Sequence, residues 1–124
     1  MPVPSILVID DEAHMRSLIA RTLAGVGYDV EEAEDGAKGL ARLESPGIAL
    51  VLTDLLMPGR EGLETILEMR RRWPAIPVIA MSGGGVNPAG NYLELAHRFG
   101  AAATLAKPFK PGDLVAVIRE HLPG

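Results

Sequence analysis

Five residues of this chain stand where their types and spacing permit chemistry. Asp10 and Asp11 follow the apolar run Ile6-Leu7-Val8-Ile9, and Asp54 lies inside LVLTDLLMPG. Ser82 follows PVIAM, and Lys107 precedes Pro108. Asp54 is the most informative, because no charged residue lies within four positions on either side and the run before it reads as a buried strand. A buried, uncompensated carboxylate is costly, so Asp54 must reach solvent, be neutralised from a distant part of the chain, or bind something. Three carboxylates gathered at one place repel each other, and a divalent, oxygen-seeking cation is the natural remedy. Magnesium takes one or two carboxylates, keeps several waters and completes its shell with a phosphate oxygen. With no cysteine in the chain and no histidine at the other strand ends, zinc fits poorly. Ser82 and Lys107 offer donors to an anion, and the backbone N–H of Gly83 can approach one closely because glycine has no side chain in the way. A cation site, an anion clamp and a carboxylate nucleophile together describe phosphoryl transfer to Asp54.

Those residues converge only if the right elements carry them. Ile6–Ile9, Ile48–Thr53 and Pro77–Met81 are short, continuous apolar runs, the pattern of strands buried on both faces. Asp29–Ala33 is polar enough for an edge strand, and Ala102–Ala106 is a strand of small residues. Between them, Met15, Leu18, Ile19, Thr22 and Leu23 follow helical spacing up to Gly25 and Gly27, and Gly36–Leu43 predicts a short helix. Leu63, Ile66 and Leu67 mark the next helix, whose other face carries Arg70, Arg71 and Arg72 as a solvated surface. A further helix is expected from about Pro88 towards Phe99, and Leu114, Val117, Ile118 and Leu122 mark the last. Five strands alternating with five helices predict an α/β fold with a doubly wound, mostly parallel sheet. In such sheets ligands bind beyond the carboxyl ends of the strands. Every residue named above ends a strand.

Composition narrows the setting. A chain of 124 residues suits one domain, and 48% hydrophobic with 23% charged residues is a globular profile. The net charge of −4 argues against non-specific nucleic-acid binding and offers no basic membrane patch. The N-terminus lacks a basic region before its four-residue apolar run, so no signal peptide is expected, and no apolar stretch is long enough to cross a bilayer. The expectation is a cytoplasmic domain in a reducing compartment.

The ordered set ILVIDDE, LVLTDLLMPGREG, IPVIAMSG and LAKPF resembles the receiver domain of bacterial two-component response regulators, from Ile6 to about Leu122. The resemblance implies a flavodoxin-like sheet of order 2-1-3-4-5 and a single receiver domain over residues 1–124, which either acts alone or precedes an output domain. It implies Asp54 as phosphoacceptor, Asp11 as a direct Mg²⁺ ligand, Asp10 acting mainly through water, and the backbone carbonyl of Leu56 as the third protein ligand. It makes Ser82 the switch hydroxyl and Lys107 the phosphate-binding lysine, with a cis bond to Pro108. The implied partners are a sensor histidine kinase or histidine phosphotransfer protein and an output protein, with no direct nucleic-acid or membrane contact. The role is signalling, with no enzymatic turnover beyond self-catalysed phosphorylation and dephosphorylation.

Each motif alone has a plainer explanation. An Asp pair after a strand often caps a helix, Asp54 before MPG could form a turn, and Lys-Pro ends strands. Jointly, at the ends of successive strands, they read as a site. His14, His97 and His121 are scattered over helices and read as structural. The rival function is an aspartate-nucleophile phosphohydrolase acting on small phosphate esters, but Leu56 stands where that chemistry places its general acid. A flavodoxin-like cofactor binder is disfavoured because two acids after the first strand repel a cofactor phosphate. Three residues before Lys107, where the best-known receivers carry an aromatic ring, this chain has Thr104. The output signal is therefore expected to leave through the glycine-rich segment from Gly83 to Gly90.

Overall fold

A computed structural model describes residues 5–55, 61–82 and 88–122 of the chain. Strands and helices alternate as β1 (Ser5–Ile9), α1 (Ala13–Gly25), β2 (Asp29–Ala33), α2 (Gly36–Leu43), β3 (Ile48–Asp54), α3 (Glu61–Arg72), β4 (Val78–Ser82), α4 (Pro88–Phe99), β5 (Ala103–Ala106) and α5 (Pro111–His121). All strand pairs are parallel, in the order β2-β1-β3-β4-β5. The fold class and strand order read from the sequence are those observed. The small differences lie at strand ends: β3 extends through Asp54 and β4 through Ser82, because both residues still pair with the neighbouring strand.

Alternation along each strand builds two cores. Ile6, Val8, Leu50, Leu52, Ile79 and Met81 face α1 and α5, where Ile19, Leu23, Leu114 and Ile118 meet them. Leu7, Ile9, Val51, Val78 and Ala80 face the other way, towards Leu43, Ile66, Met69 and Ala96 of α2, α3 and α4. Successive strand residues point to opposite faces, so a one-residue slip would exchange the two sets. Each fully buried Ile or Leu contributes about 1.5–3 kcal/mol, enough to fix the register. That register sets Ile9 opposite Thr53, so Asp10 and Asp54 follow at the same level on adjacent strands. Strand order reverses between β1 and β3, which places both acids at the point where such sheets bind ligands.

Three helical positions depart from the sequence expectation. Leu18 and Leu67 fit the spacing of their helices yet are largely exposed, so the apolar stripes are narrower than they read. Arg70 also leaves the expected solvated face: its guanidinium donates to the Ile76 carbonyl at 3.0 Å, tying α3 to the turn before β4. Arg71 and Arg72 remain on the surface, paired with Glu68 and Glu44, and Arg72 stacks 4.3 Å from the centre of the Trp73 ring.

Glycine is required at two close approaches. A Cβ at Gly39 would lie 2.3 Å from Ile9 Cδ1, so any larger residue there would force the buried Ile9 side chain to shift. Gly100, with φ of +112°, turns the chain out of α4 under Arg70. The polar strand β2 forms one edge, as expected, and its Glu31 and Glu32 are held by Arg42 and Arg16. Charged side chains of this kind discourage pairing with a second chain. No helix among the described residues is long and apolar enough to cross a membrane.

Candidate functional site

The question posed by Asp54 is answered by Lys107, 53 residues away in sequence. Its ammonium lies 3.3 Å from Asp54 Oδ2 and 2.9 Å from Asp10 Oδ2, bridging the ends of β1 and β3. Asp10 is fully buried and Asp54 nearly so, while Asp11 is exposed. Carboxylate oxygens of Asp10, Asp11 and Asp54 all lie within 4.8 Å of one another. The three acids expected at one rim are therefore brought together, with Lys107 between two of them.

The aspartate pair does not cap α1. Glu12 takes that duty, accepting from the Met15 N–H at 2.8 Å. Asp10 is instead held at every polar atom. Its N–H donates to the Ala33 carbonyl at 3.2 Å, and its Oδ1 accepts from the Glu12 N–H at 2.9 Å. Its Oδ2 accepts from Lys107, and its carbonyl accepts from Arg16 Nη1 at 2.6 Å. Helix capping accordingly leaves the exposed Asp11 carboxylate available at the mouth of the cluster.

Lys107 is positioned by the end of β5, whose last residue pairs with Ser82. The Lys107 N–H donates to the Ser82 carbonyl at 2.8 Å, so both donors belong to one hydrogen-bonded stretch of backbone. The Lys107–Pro108 peptide is cis, as the resemblance implied. Burial alone would lower the pKa of this amine, but the hydrogen bond to Asp10 and the charges of Asp54 and Asp10 outweigh it, and the net shift is upward. Lys107 stays charged throughout the physiological range.

Ser82 is fully buried, and its hydroxyl has no hydrogen-bond partner among the described residues. Buried hydroxyls are nearly always paired, so one left bare at the rim of an acid cluster marks a place for an incoming oxygen. The donor set fits a hard divalent cation: oxygen ligands only, two of them buried and one open to solvent. Leu56 and Gly83, expected to add a carbonyl and an N–H, lie outside the described residues, as do residues 83–87 of the segment from Gly83 to Gly90 through which the signal is expected to leave.

A family model described as the response regulator receiver domain matches residues 6–119. The chain belongs to this family. Among its relatives are the probable transcriptional regulator ycf27 of Porphyridium aerugineum, 37% identical over 98% of this chain and 49% of that protein, and the transcriptional regulatory protein ResD of Bacillus subtilis, 32% identical over 94% of this chain and 47% of that protein. This receiver thus spans about half the length of the curated relatives it matches. Solved structures include the CheY-like receiver domain protein of Methanospirillum hungatei, with a TM-score of 0.86 at 29% identity, covering 98% of this chain and 94% of that one. The receiver domain of NtrX from Brucella abortus aligns with a TM-score of 0.87 at 33% identity, covering 94% and 97%.

In this receiver, the position that sequence reasoning flagged as unusual, Thr104, is half-buried on β5 opposite Ala80. None of the three histidines joins the acid cluster; His14 and His97 are exposed, and His121 Nδ1 lies 2.9 Å from the Val117 carbonyl. Sequence reasoning missed Glu12 as the cap and Arg16 as the grip on Asp10. Arg16 follows Glu12 by one helical turn, and helical side chains lean back towards the N-terminus, so spacing alone placed it near Asp10.

Proposed function

We propose that this receiver accepts a phosphoryl group on Asp54 in a Mg²⁺-dependent phosphorelay. The observation that carries the reading is the juxtaposition of an ammonium bridging two buried carboxylates with an unpartnered buried hydroxyl on the adjacent strand. An Asp54 carboxylate oxygen attacks the phosphorus of a phosphohistidine on a histidine kinase or phosphotransfer protein. The new O–P bond forms as the N–P bond breaks, and the departing imidazole nitrogen keeps the electron pair and the phosphoryl group's former place is taken by a proton from solvent. Lys107 turns its donor from Asp54 to a phosphoryl oxygen, and Ser82 gains an acceptor for its hydroxyl. Asp10 and Asp11, with the Leu56 carbonyl, would hold the cation, which when bound offsets the charge that builds on the carboxylates and phosphoryl oxygens. The phosphoryl group then biases a two-state surface that a protein partner recognises. Residues 1–124 form a receiver domain that acts in the cytoplasm in signalling.

Intact mass after incubation with a small phosphodonor and Mg²⁺ tests the reading. Wild-type protein should gain one phosphoryl group, Asp54→Asn none, and Asp11→Ala none at ordinary Mg²⁺ levels. Full labelling of Asp54→Asn would refute the assignment.

A further inference from the structure

Among the described residues, Arg16 is the one cation besides Lys107 that grips the acid cluster, and it does so through the backbone. Its Nη1 donates to the Asp10 carbonyl at 2.6 Å, while its Nε donates to Glu32 Oε1 at 3.1 Å on the edge strand β2. The side chain is mostly buried, at 17% exposure, and its planar fork spans both acceptors at once. The carbonyl it holds belongs to the peptide plane joining Asp10 to Asp11. Asp10 has further restraints on its N–H and on both carboxylate oxygens, but Asp11 is exposed and follows directly from that plane. Fixing the plane fixes the N–Cα bond of Asp11, the base from which its carboxylate projects.

We propose that Arg16 is a positioning residue that presets the Asp10–Asp11 turn for a divalent cation, with Glu32 as its anchor; this rests on the reading of the acid cluster as a cation site. The sign of the effect separates positioning from charge. Arg16 is a positive group beside a cation site, so on Coulombic grounds alone its removal should tighten cation binding. Positioning demands the reverse, because a ligand that must be ordered on binding binds its metal more weakly. Losing an outer partner of a metal ligand typically weakens affinity about 10–100-fold.

The test is calorimetric titration of the full chain with Mn²⁺ and with Mg²⁺, beside thermal unfolding in chelator. Arg16→Ala should weaken the cation Kd by about tenfold or more. Arg16→Lys keeps the charge without the fork and should bind as weakly. Glu32→Asp keeps the charge but shortens the reach to Arg16, and should show a smaller weakening in the same direction, which keeps the proposal testable if Arg16→Ala fails to fold. Folded Arg16→Ala protein that binds either cation as tightly as wild type, or more tightly, overturns the proposal. So does full affinity in Arg16→Lys, or a lowered melting temperature in chelator with an unchanged Kd. Wild-type protein that binds neither cation would instead overturn the cation site itself and this role with it.

Discussion

Replacing Lys107 with methionine removes the ammonium while keeping most of the side chain's bulk, and leaves Asp10 and Asp54 facing each other without its charge between them. Breaking a buried ion pair from one side costs about 3–5 kcal/mol. The lower figure applies here, because the exposed Asp11 lets water approach the cluster while Asp10 is fully buried. For a chain of 124 residues the unfolding entropy is about 0.26 kcal/mol/K, so a loss of about 3 kcal/mol lowers the melting temperature in chelator by about 10 °C. Added Mg²⁺ should reverse much of this, since the cation takes over the neutralising role and no longer competes with the ammonium. Stabilisation by a ligand grows as RT ln(1 + [L]/Kd), and a tenfold tighter Kd in the variant adds about 1.4 kcal/mol at saturating concentration. The pH dependence carries its own signature. The folded-state pKa of Lys107 lies above the ordinary 10.5, so the bridge stabilises fully below that value and is lost as pH rises through the raised one. The gap between wild type and variant should be constant around neutrality and close only in strong alkali. Thermal unfolding across a Mg²⁺ series provides the measurement. Equal melting temperatures in chelator, with an unchanged Mg²⁺ response, would refute a neutralising role for Lys107.

Three smaller perturbations probe other parts of the same frame. Gly39→Ala should lower stability by about 1–2 kcal/mol in chemical denaturation, because the crowding of Ile9 outweighs the roughly 1 kcal/mol that alanine adds to helix propensity. Glu31→Gln should cost less than about 1 kcal/mol, since Glu31 is 40% exposed and solvent screens its pair with Arg42. The hydrogen bond from Arg42 holds the Glu31 carboxyl below its ordinary 4.5, so that contribution is present above 4.5 and fades as pH falls through the lowered value, which an acid titration of stability would follow. Ser82→Ala should still accept a phosphoryl group on Asp54, yet bind the output partner no better when phosphorylated, as pull-down with a stable mimic would reveal.

The sequence disclosed the fold because its apolar runs are unambiguous: Ile6–Ile9, Ile48–Leu52 and Val78–Met81 are buried on both faces and end at polar residues. Strand ends are legible for the same reason, and the site is made of strand ends. What stayed hidden depends on side chains meeting across distant elements. Spacing sets Arg16 near Asp10, but its second acceptor, Glu32, lies across on β2, which no local pattern shows, while Arg21 on the same helix stays exposed. Arg70 likewise looked like its neighbours Arg71 and Arg72 until the turn at Ile76 supplied an acceptor. Glu12 was overlooked as the cap because aspartate is the better N-cap by propensity, and the plainer reading of Asp10 and Asp11 as caps drew attention away from it; here the bridge to Lys107 holds Asp10 elsewhere.

The free site is unevenly satisfied, and that asymmetry is where a switch would draw its energy. Lys107 neutralises the β1 and β3 carboxylates, whereas the Ser82 hydroxyl on β4 is buried without a partner among the described residues. A phosphoryl group on Asp54 would reverse this, giving Ser82 a charged acceptor worth about 1.5–3 kcal/mol and drawing Lys107 off its bridge. Applied to only one of two conformations, that difference changes their ratio by about ten- to a hundredfold. The β5 position that could carry a ring holds Thr104, so the shift cannot be read out by an aromatic side chain. The Lys107 N–H is bonded to the Ser82 carbonyl, and Lys107 is followed within four residues by the start of α5. A displacement of Ser82 therefore pulls on the same backbone that leads into α5. On the proposed phosphorylation of Asp54, the strand ends of β4 and β5 would respond as one piece, and the surface near the start of α5 would offer a route for the signal that needs no moving ring.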